Sequence, residues 1–287
     1  MKLQPNGVVL SERSKNDKPC RRVKICFLTL YNFSKVQPIS LGNLCLGASI
    51  YHSEFGDYVD YSFVSFDDTS SEAEDIAEEI QKTAADLLFV GAYVWNEKLL
   101  NSVISRIKED RRETPKIVLG GLSVLYGPPD FHHDWPAVDL FAKGEGELIA
   151  QKLVKEHIFG DPETFLSRCE DIRGISTHRS FNARHAERAV VSLEDIYSPY
   201  LPYEKQKSFF DFVNGRYSYL FMESTRGCSF SCAFCSFDAQ DLGFRSIEIE
   251  RFSKELSHVI KKMSSKFFSS TLYGEAPLAL PRCCCES

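Results

Sequence analysis

The chain has 287 residues and a formal net charge of −6, and 43% of its residues are hydrophobic. This length is enough for about two domains of ordinary size. The negative net charge excludes a global basic footprint for nucleic acid or an anionic membrane. The longest apolar runs are far shorter than the ~20 residues of a membrane span, and the first residues lack the apolar core of a signal peptide. We therefore expect a cytoplasmic protein without a nucleic-acid or membrane partner.

Short apolar runs alternate with amphipathic segments from Val23 to about His157. The pattern predicts strands at 23–30, 61–66, 86–94, 116–119 and 138–142. Between and after them it predicts helices at 41–52, 71–83, 97–111 and 144–157. The second of these helices would open with a capping box formed by Ser71 and Glu74. The alternation indicates βαβ units and therefore an α/β, Rossmann-like fold, with a parallel sheet flanked by helices.

The loops at the carboxyl ends of these strands form one predicted ligand site. Ligands of open parallel sheets bind beyond the carboxyl ends of the strands. In this chain the segments at those ends are 31–40, 93–96, 120–126 and 143–147. Several of them contain glycine, which lets the backbone approach a flat or phosphorylated ligand closely.

The character of the sequence changes after Phe159. Residues 159–208 are typical of a linker with a short hairpin, with candidate strands at 172–177 and 189–192. A second unit is predicted to begin near Phe209. It would contain a strand at 217–223, a helix at 247–262 and a further strand at 265–272.

Most of the possible metal-binding side chains outside this unit are predicted to be structural. Free cysteine in a reducing cell is most often a small buried hydrophobe, and we expect this of Cys20, Cys26, Cys45 and Cys169. Adjacent histidine side chains diverge on regular structure. We therefore interpret His132 and His133 as a solvated loop pair rather than as metal ligands.

Three cysteines lie within eight residues directly after the strand predicted at 217–223: Cys228, Cys232 and Cys235. Soft thiolates favour iron–sulfur clusters, zinc or Cu(I). Zinc sites and ferredoxin clusters usually have four protein ligands, but the next cysteine along this chain is Cys283. Three thiolates leave one iron of a cluster open for another ligand. A cluster is the favoured interpretation, and a zinc site stays open as the alternative.

The spacing C-x₃-C-x₂-C, with Phe234 before the last cysteine, resembles the signature of the radical S-adenosylmethionine (SAM) superfamily. The resemblance implies a [4Fe–4S] cluster on Cys228, Cys232 and Cys235, with SAM chelating the open iron. One electron, from a donor such as flavodoxin or ferredoxin, would cleave SAM to a 5′-deoxyadenosyl radical. The resemblance also implies that Phe234 contacts the SAM adenine, and that Arg226 and Gly227 shape the loop.

An α/β domain in front of this motif resembles the cobalamin-binding subclass of the superfamily. The segments that carry the resemblance are, in chain order, Pro38 to Leu44, Gly120 to Pro128, Asp139 to Glu147, Ser198 to Leu201, and Glu223 to Cys228. It implies cobalamin binding by Tyr31, Asn32, Tyr93, Gly120, Gly121, Gly144, Glu145 and Gly146. The histidine that replaces the lower cobalt ligand in mutases has no counterpart at 31–34, so cobalamin would bind without a protein histidine on cobalt. The alternative is a domain that keeps the fold without the cofactor.

The end of the sequence departs from a barrel pattern. A family barrel has about six βα units, so roughly 200 residues would follow the cysteines. Tyr273-Gly274-Glu275 resembles the family's glycine-glycine-glutamate element, which implies SAM contacts for Gly274 and Glu275. The residues after it, with adjacent cysteines at 283–285, show no periodic pattern. We therefore expect truncation within the barrel or a frameshift, and an inactive chain on its own.

The sequence thus predicts four parts. These are a tail at 1–22, a cobalamin-binding-like α/β domain at 23–158, a linker with a hairpin at 159–208, and the first part of a radical SAM (βα) barrel at 209–287. The resemblance implies an enzyme for methyl transfer or a radical rearrangement on an unknown small-molecule or peptide substrate. Its catalytic residues are not identified by sequence. The alternatives are a non-catalytic cobalamin- or nucleotide-binding module and a zinc-binding fragment.

Overall fold

The computed structural model of the chain describes residues 21–31, 39–109, 114–183, 187–204, 206–213, 220–228 and 244–272, with side chains up to 262. Six strands form one sheet: β1 Val23–Tyr31, β2 Val59–Asp67, β3 Leu87–Gly91, β4 Lys116–Gly120, β5 Leu140–Ala142 and β6 Ile175–Ser176. Their order in the sheet is β2-β1-β3-β4-β5-β6. The first five strands are parallel, and β6 pairs antiparallel with β5.

Helices cover both faces of the sheet. The described helices of the chain have these bounds: α1 Leu41–Tyr51, α2 Ala73–Lys82, α3 Glu97–Glu109, α4 Leu122–Tyr126, α5 Glu147–Phe159, α6 Phe165–Cys169, α7 Phe209–Val213 and α8 Ile249–Leu272. Helices α1 and α5 contact each other on one face of the sheet, and α2 and α3 contact each other on the other face.

The side chains of strand β1 are buried on both faces of the sheet, in two separate hydrophobic cores. Alternate side chains of a strand point to opposite faces. On β1, Cys26, Leu28 and Leu30 join the core under α2 and α3, whereas Val23, Ile25 and Phe27 join the core under α1 and α5. Burial on both faces is typical of parallel sheets, and it explains the nearly continuous apolar run of this strand.

The strand order places a topological switch point beside β1. The chain adds β2 on one side of β1 and then crosses over to add β3, β4 and β5 on the other side. Helix α1 follows β1 onto one face, and α3 follows β3 onto the opposite face. The loops leaving β1 and β3 therefore separate, which opens a crevice at their carboxyl ends.

The chain divides into two compact units, Met1–Ser246 and Ile247–Ser287. The first unit ends with two short strands, β7 Thr225–Arg226 and β8 Arg245–Ser246, which pair antiparallel. In the second unit the Nε atom of Arg251 lies 3.1 Å from Oε1 of Glu255 on α8. Within the part of the chain that the structure describes, no helix is both long enough and apolar enough to cross a membrane.

The five predicted strands and four predicted helices of the first domain are confirmed, with ends that differ by a few residues. The predicted capping box is wrong. Helix α2 begins at Ala73 after Glu72, whose side chain makes no capping hydrogen bond. The backbone N–H of Ser71 instead donates to the carbonyl of Asp67, 3.1 Å away, so Ser71 belongs to the turn that follows β2.

Three strand predictions later in the chain are wrong for the described residues. Residues 265–272 belong to α8, which continues because no glycine or proline interrupts it before Gly274. The described residues at 220–223 form no strand, and 189–192 contribute only a bridge between Gly144 and Ala189. Between Phe209 and Leu272, the described residues show no parallel βα unit of a barrel.

The interpretation of His132 as a solvated residue is wrong. Phe131–Asp134 forms a 3₁₀ turn that buries His132 with its ring centroid 4.7 Å from that of Phe181. The predicted divergence also fails, because the His132 and His133 rings lie 4.2 Å apart. The prediction for the scattered cysteines is confirmed for Cys26, Cys45 and Cys169, which are buried. Cys20 lies outside the described residues.

Candidate functional site

A cavity of about 420 Å³ lies at the carboxyl ends of the central strands. Its wall includes Thr29 from β1, Gly91 from β3, Gly120 from β4 and Ala142 from β5, together with the loops that follow these strands. The volume falls within the range of small-molecule sites, which is roughly 300–1,000 Å³. The position matches the switch point of the sheet, where ligands of this fold class bind.

Three described glycines of the cavity wall have a left-handed backbone: Gly121, Gly144 and Gly227. Gly121 has a φ of 95° and Gly144 a φ of 104°. A Cβ atom on Gly121 would collide with the backbone of Ala92, and one on Gly144 would collide with the backbone of Ala189. Both positions therefore require glycine for the loop path itself. Gly120 differs, because a Cβ atom there would have no neighbour closer than 3.6 Å.

Asn43 fixes the start of α1 at the cavity. Its Nδ2 atom donates to the carbonyl oxygen of Leu28, 3.1 Å away, and to Oγ1 of Thr29, 2.9 Å away. The backbone N–H of Asn43 donates to Oγ of Ser40, which caps the helix, at 3.1 Å. The buried amide therefore ties the helix start to the end of β1.

Asn96 does the same for the loop after β3. Its Oδ1 atom accepts from the backbone N–H of Tyr93 at 2.9 Å, and its Nδ2 atom donates to the carbonyl oxygen of Gly91 at 3.0 Å. The side chain is almost fully buried. These two bonds fold the loop back over the strand end, as side-chain amides do in turns. Tyr93 is thereby held in the cavity wall.

Five charged residues of the cavity wall form a connected group, which we call the acid–base cluster: Glu145, Glu147, Glu223, Arg226 and Arg245. The Arg226 guanidinium lies 2.5 Å from Glu147 Oε1, 2.8 Å from Glu223 Oε2 and 3.6 Å from Glu145 Oε1. Arg245 Nη2 lies 2.5 Å from Glu145 Oε1. The cluster joins the loop after β5 to the pair β7–β8.

Burial and charge act in opposite directions in this cluster. Burial on its own lowers the pKa of Arg226, but the Glu147 and Glu223 carboxylates outweigh burial and raise that pKa above its usual value. Burial on its own raises the pKa of Glu145, but Arg245, the backbone N–H of Val191 and Arg226 together hold that pKa below its usual value. The charged forms are therefore the stable ones, because each buried charge has an opposite partner.

The acid–base cluster adjoins the predicted iron–sulfur ligands. Arg226 is followed by Gly227, which has a φ of 83°, and then by the half-buried Cys228. The other predicted ligands and SAM contacts, Cys232, Phe234, Cys235, Gly274 and Glu275, lie outside the described residues. Within the described ranges, no three His, Cys, Asp or Glu side chains are grouped to hold a metal ion.

Most of the predicted cobalamin contacts meet at the cavity. Its wall contains Tyr93, Gly120, Gly121, Gly144, Glu145 and Gly146. Tyr31 lies at the end of β1 opposite Asp67, outside the cavity wall. Burial, and then the Asp67 charge, raise the pKa of its hydroxyl. Asn32 is not among the described residues.

Sequence reasoning missed Arg188 and Arg245 as cavity residues. Neither belongs to a local motif, and the contact of Arg245 with Glu145 spans 100 positions. The Nε atom of Arg188 is buried without a hydrogen-bond partner. The only available signal was that Arg188 directly precedes the strand predicted at 189–192, and this signal indicated no partner for it.

Comparisons with known proteins find similar sequences among methyltransferases. No family model matches the chain. The chain is 30% identical over 175 residues to the cobalamin-dependent radical SAM methyltransferase TokK of Streptomyces tokunonensis, which covers 60% of this chain and 25% of TokK. It is 29% identical over 187 residues to the 2-(S-pantetheinyl)-carbapenam-3-carboxylate methyltransferase of Streptantibioticus cattleyicolor, covering 61% of this chain and 25% of that enzyme. The chain thus spans about a quarter of the length of these relatives.

A solved structure agrees in fold. OxsB, a cobalamin-dependent SAM radical enzyme solved with aqua-cobalamin and SAM bound, superimposes with a TM-score of 0.61. The match has 17% sequence identity and covers 84% of this chain and 32% of OxsB. At that identity the match shows the fold alone. Over about 60% of its length, the chain is a distant homologue of cobalamin-dependent radical SAM methyltransferases.

Proposed function

We propose that this chain belongs to an enzyme that reductively cleaves SAM at a [4Fe–4S] cluster and drives methyl transfer or a radical rearrangement on a substrate still to be identified. It would supply the cobalamin site and the cluster ligands. The observation that carries the proposal is the acid–base cluster, which joins the loop lining the switch-point cavity and the start of α5 to the segment that enters Cys228. One site thus contacts both predicted cofactor-binding regions.

The described residues fit a part of cobalamin. The cavity of about 420 Å³ accepts a group of the size of a small ligand, which is less than the whole cofactor. Gly120 in its wall has no side chain, so the backbone can come close to a bound group. When bound, cobalamin supplies a cobalt that can carry a methyl group. Asn43 and Asn96 hold the loops around the cavity in place.

Cys228 fits the role of a cluster ligand. It is half-buried, and iron–sulfur clusters are held by cysteine thiolates. We propose Cys232 and Cys235 as the other two ligands, and Phe234, Gly274 and Glu275 as SAM contacts. The cluster would receive its electron from a small redox protein of the flavodoxin or ferredoxin type.

Anaerobic reconstitution of the full chain with iron and sulfide tests the cluster. We expect about four iron atoms per chain and a strong loss of iron in Cys228→Ala and in Cys232→Ala. Cys169→Ala is the matched control, because Cys169 is buried in the core under α1 and α5. Iron content that is equal in all four proteins would refute the proposal, and about one zinc without sulfide would favour a structural zinc site.

Titration with hydroxocobalamin, followed by absorbance, tests the cavity. Gly120→Leu places a side chain into the cavity wall at a position where a Cβ atom has room. We expect this variant to lose at least about tenfold in affinity, which corresponds to ~1.4 kcal/mol, while its thermal unfolding stays close to that of the wild type. Equal affinity in the two proteins would exclude the cavity as the cobalamin site. Displacement of cobalamin by a nucleotide would favour a nucleotide-binding module.

A further inference from the structure

Arg226 makes more buried charge contacts than any other described arginine of the first unit. Its side chain is 12% exposed and faces three carboxylates. Glu145 comes from the loop that lines the cavity and Glu147 from the start of α5, and the contact with Glu147 spans 79 positions. The third, Glu223, is three residues away in the same segment. Arg226 therefore connects the chain before Cys228 to a distant loop.

The backbone alone holds this segment weakly. Strands β7 and β8 contain two residues each and form a single short antiparallel pair. In that pair Arg226 lies directly opposite Arg245, and both guanidinium groups contact Glu145. Arg245 also donates to the carbonyl oxygen of Val191 at 2.8 Å. Since isolated two-stranded pairs are marginal in water, the side-chain contacts supply most of the anchoring.

We propose that Arg226 is a positioning residue: it clamps Thr225–Cys228 onto the cavity loop and so fixes where the chain enters the cysteine loop, defined here as 228–235. The part of this inference that concerns the iron–sulfur cluster rests on the proposed function. The clamp itself rests on the contacts of the described residues. Cys228 follows Arg226 by two positions, with only Gly227 between them.

The chemistry of the contacts requires a guanidinium. Removing it leaves the Glu147 carboxylate, which is 5% exposed, without its positive partner, and an uncompensated buried charge is strongly unfavourable. Lysine keeps the charge but offers a single ammonium group, whereas the planar guanidinium reaches several carboxylates at once. Arg226→Lys is therefore expected to restore the clamp only in part.

Hydrogen–deuterium exchange of the full chain without iron tests the clamp directly. We expect peptides covering 224–232 to exchange about tenfold faster in Arg226→Gln and by an intermediate factor in Arg226→Lys, because the opening of a local segment sets its exchange rate. Peptides from β1 and β3 are expected to keep their wild-type rates. Arg106→Gln is the control, since Arg106 makes half-exposed surface ion pairs with Glu74 and Glu109.

Two results would overturn the inference. The first is wild-type exchange at 224–232 in Arg226→Gln. The second is an equal acceleration of β1 and β3, which would show general destabilisation instead of positioning. If Arg226→Gln does not fold, Glu147→Gln removes one of the three carboxylates and is expected to accelerate the same peptides by a smaller factor.

Reconstitution with iron separates this inference from the proposed function. With a cluster bound, Arg226→Gln is expected to change the electron paramagnetic resonance spectrum of the reduced cluster while Arg106→Gln leaves it unchanged. A wild-type chain that takes up no iron would refute the cluster, and the exchange rates would still decide whether Arg226 clamps the segment.

Discussion

Gly144 shows how a single backbone angle shapes the cavity wall. Its φ of 104° lies in the left-handed region, and a Cβ atom would collide with the backbone of Ala189. The carbonyl oxygen of Ala189 also accepts the backbone N–H of Glu145 at 2.9 Å. The segment at Ala189 therefore cannot move away from Gly144 without breaking that hydrogen bond. This position admits only glycine for a reason that concerns the fold, whatever ligand binds beside it.

Gly144→Ala is accordingly expected to lower the free energy of unfolding by about 1–3 kcal/mol, the usual range for a strained backbone position. Urea denaturation measures the change. The matched control is Gly120→Ala, because a Cβ atom at Gly120 meets only ordinary contacts. Equal stability of the two variants would show that the loop at Gly144 adapts, and would contradict the account of this position.

His52 makes the stability of the first unit depend on pH. Its Nδ1 atom lies 3.0 Å from Oε1 of Gln206, and its Nε2 atom is buried without a partner. Burial lowers the pKa of the imidazole, and the hydrogen bond that Nδ1 donates to Gln206 offsets this only in part. As the pH falls below the ordinary histidine value of about 6.5, the unfolded chain takes up the proton first, so stability is lost down to the lowered folded pKa.

We therefore expect the free energy of unfolding to decrease between about pH 7 and pH 5, and to decrease less in His52→Gln. Urea denaturation across this pH range measures both slopes. His133→Gln, which changes an exposed histidine, serves as the control. If His52→Gln keeps the full wild-type slope, then His52 is not the group responsible.

At the scale of elements, the strands that the sequence predicted correctly are those with a clear run of apolar residues. Strands β1 and β3 are nearly continuous apolar runs buried on both faces, and the sequence alone was enough to locate them. Strands β7 and β8 have two residues each, at most half-buried, so no periodicity marks them. The predicted strand at 265–272 failed because a short apolar run fits a helix equally well.

The contact between α1 and α7 was also invisible to sequence reasoning. Gly47 lies on the buried side of α1, and a Cβ atom there would collide with the ring of Phe209 on α7. Phe209 is fully buried and packs with the rings of Tyr51 and Tyr61. The missing side chain of Gly47 therefore creates the space that the Phe209 ring fills.

We expect Gly47→Ala to destabilise the fold by about 1–3 kcal/mol through overpacking, and Phe209→Leu to destabilise it through a cavity. Combining the two substitutions relieves the collision. We therefore expect the free energy of unfolding of the double variant to fall by at least ~1 kcal/mol less than the sum of the two single effects. Urea denaturation of the four proteins gives this coupling. Gly42→Ala in the same helix is the control, because its Cβ atom has no neighbour closer than 3.9 Å. Strict additivity would mean that the two residues do not compete for space.

Across the whole molecule, the sequence was enough to predict which edge of the sheet carries the cavity. It was not enough to predict the charged side chains that complete the cavity wall. Parallel strands deliver their carboxyl ends to one edge, so Tyr93, Gly120 and Gly144 followed from the strand assignments. The contacts of Glu145 with Arg226 and Arg245 join segments 80 to 100 positions apart in the chain. Only the packing of the folded unit brings them together, and no local pattern encodes it.

The distribution of thiols gives a test of the whole first unit. Burial raises the pKa of both Cys26 and Cys169 to about 12, and Cys45 is buried as well. Because the thiolate is the reactive form, we expect iodoacetamide at about pH 8 to leave these three cysteines unmodified in the native chain and to modify them in urea. Mass spectrometry of tryptic peptides measures both states. Native modification of Cys26 would contradict the packing of β1.

The position of β1 has a consequence for biosynthesis. It is the first strand among the described residues, yet it pairs on both sides, with β2 and with β3. About 60 further residues must be translated between the end of β1 and the end of β3, which takes on the order of seconds on a ribosome. During that interval an apolar strand has an unpaired edge that attracts other chains. Nascent β1 thus stays open to pairing with other chains until β3 has been made.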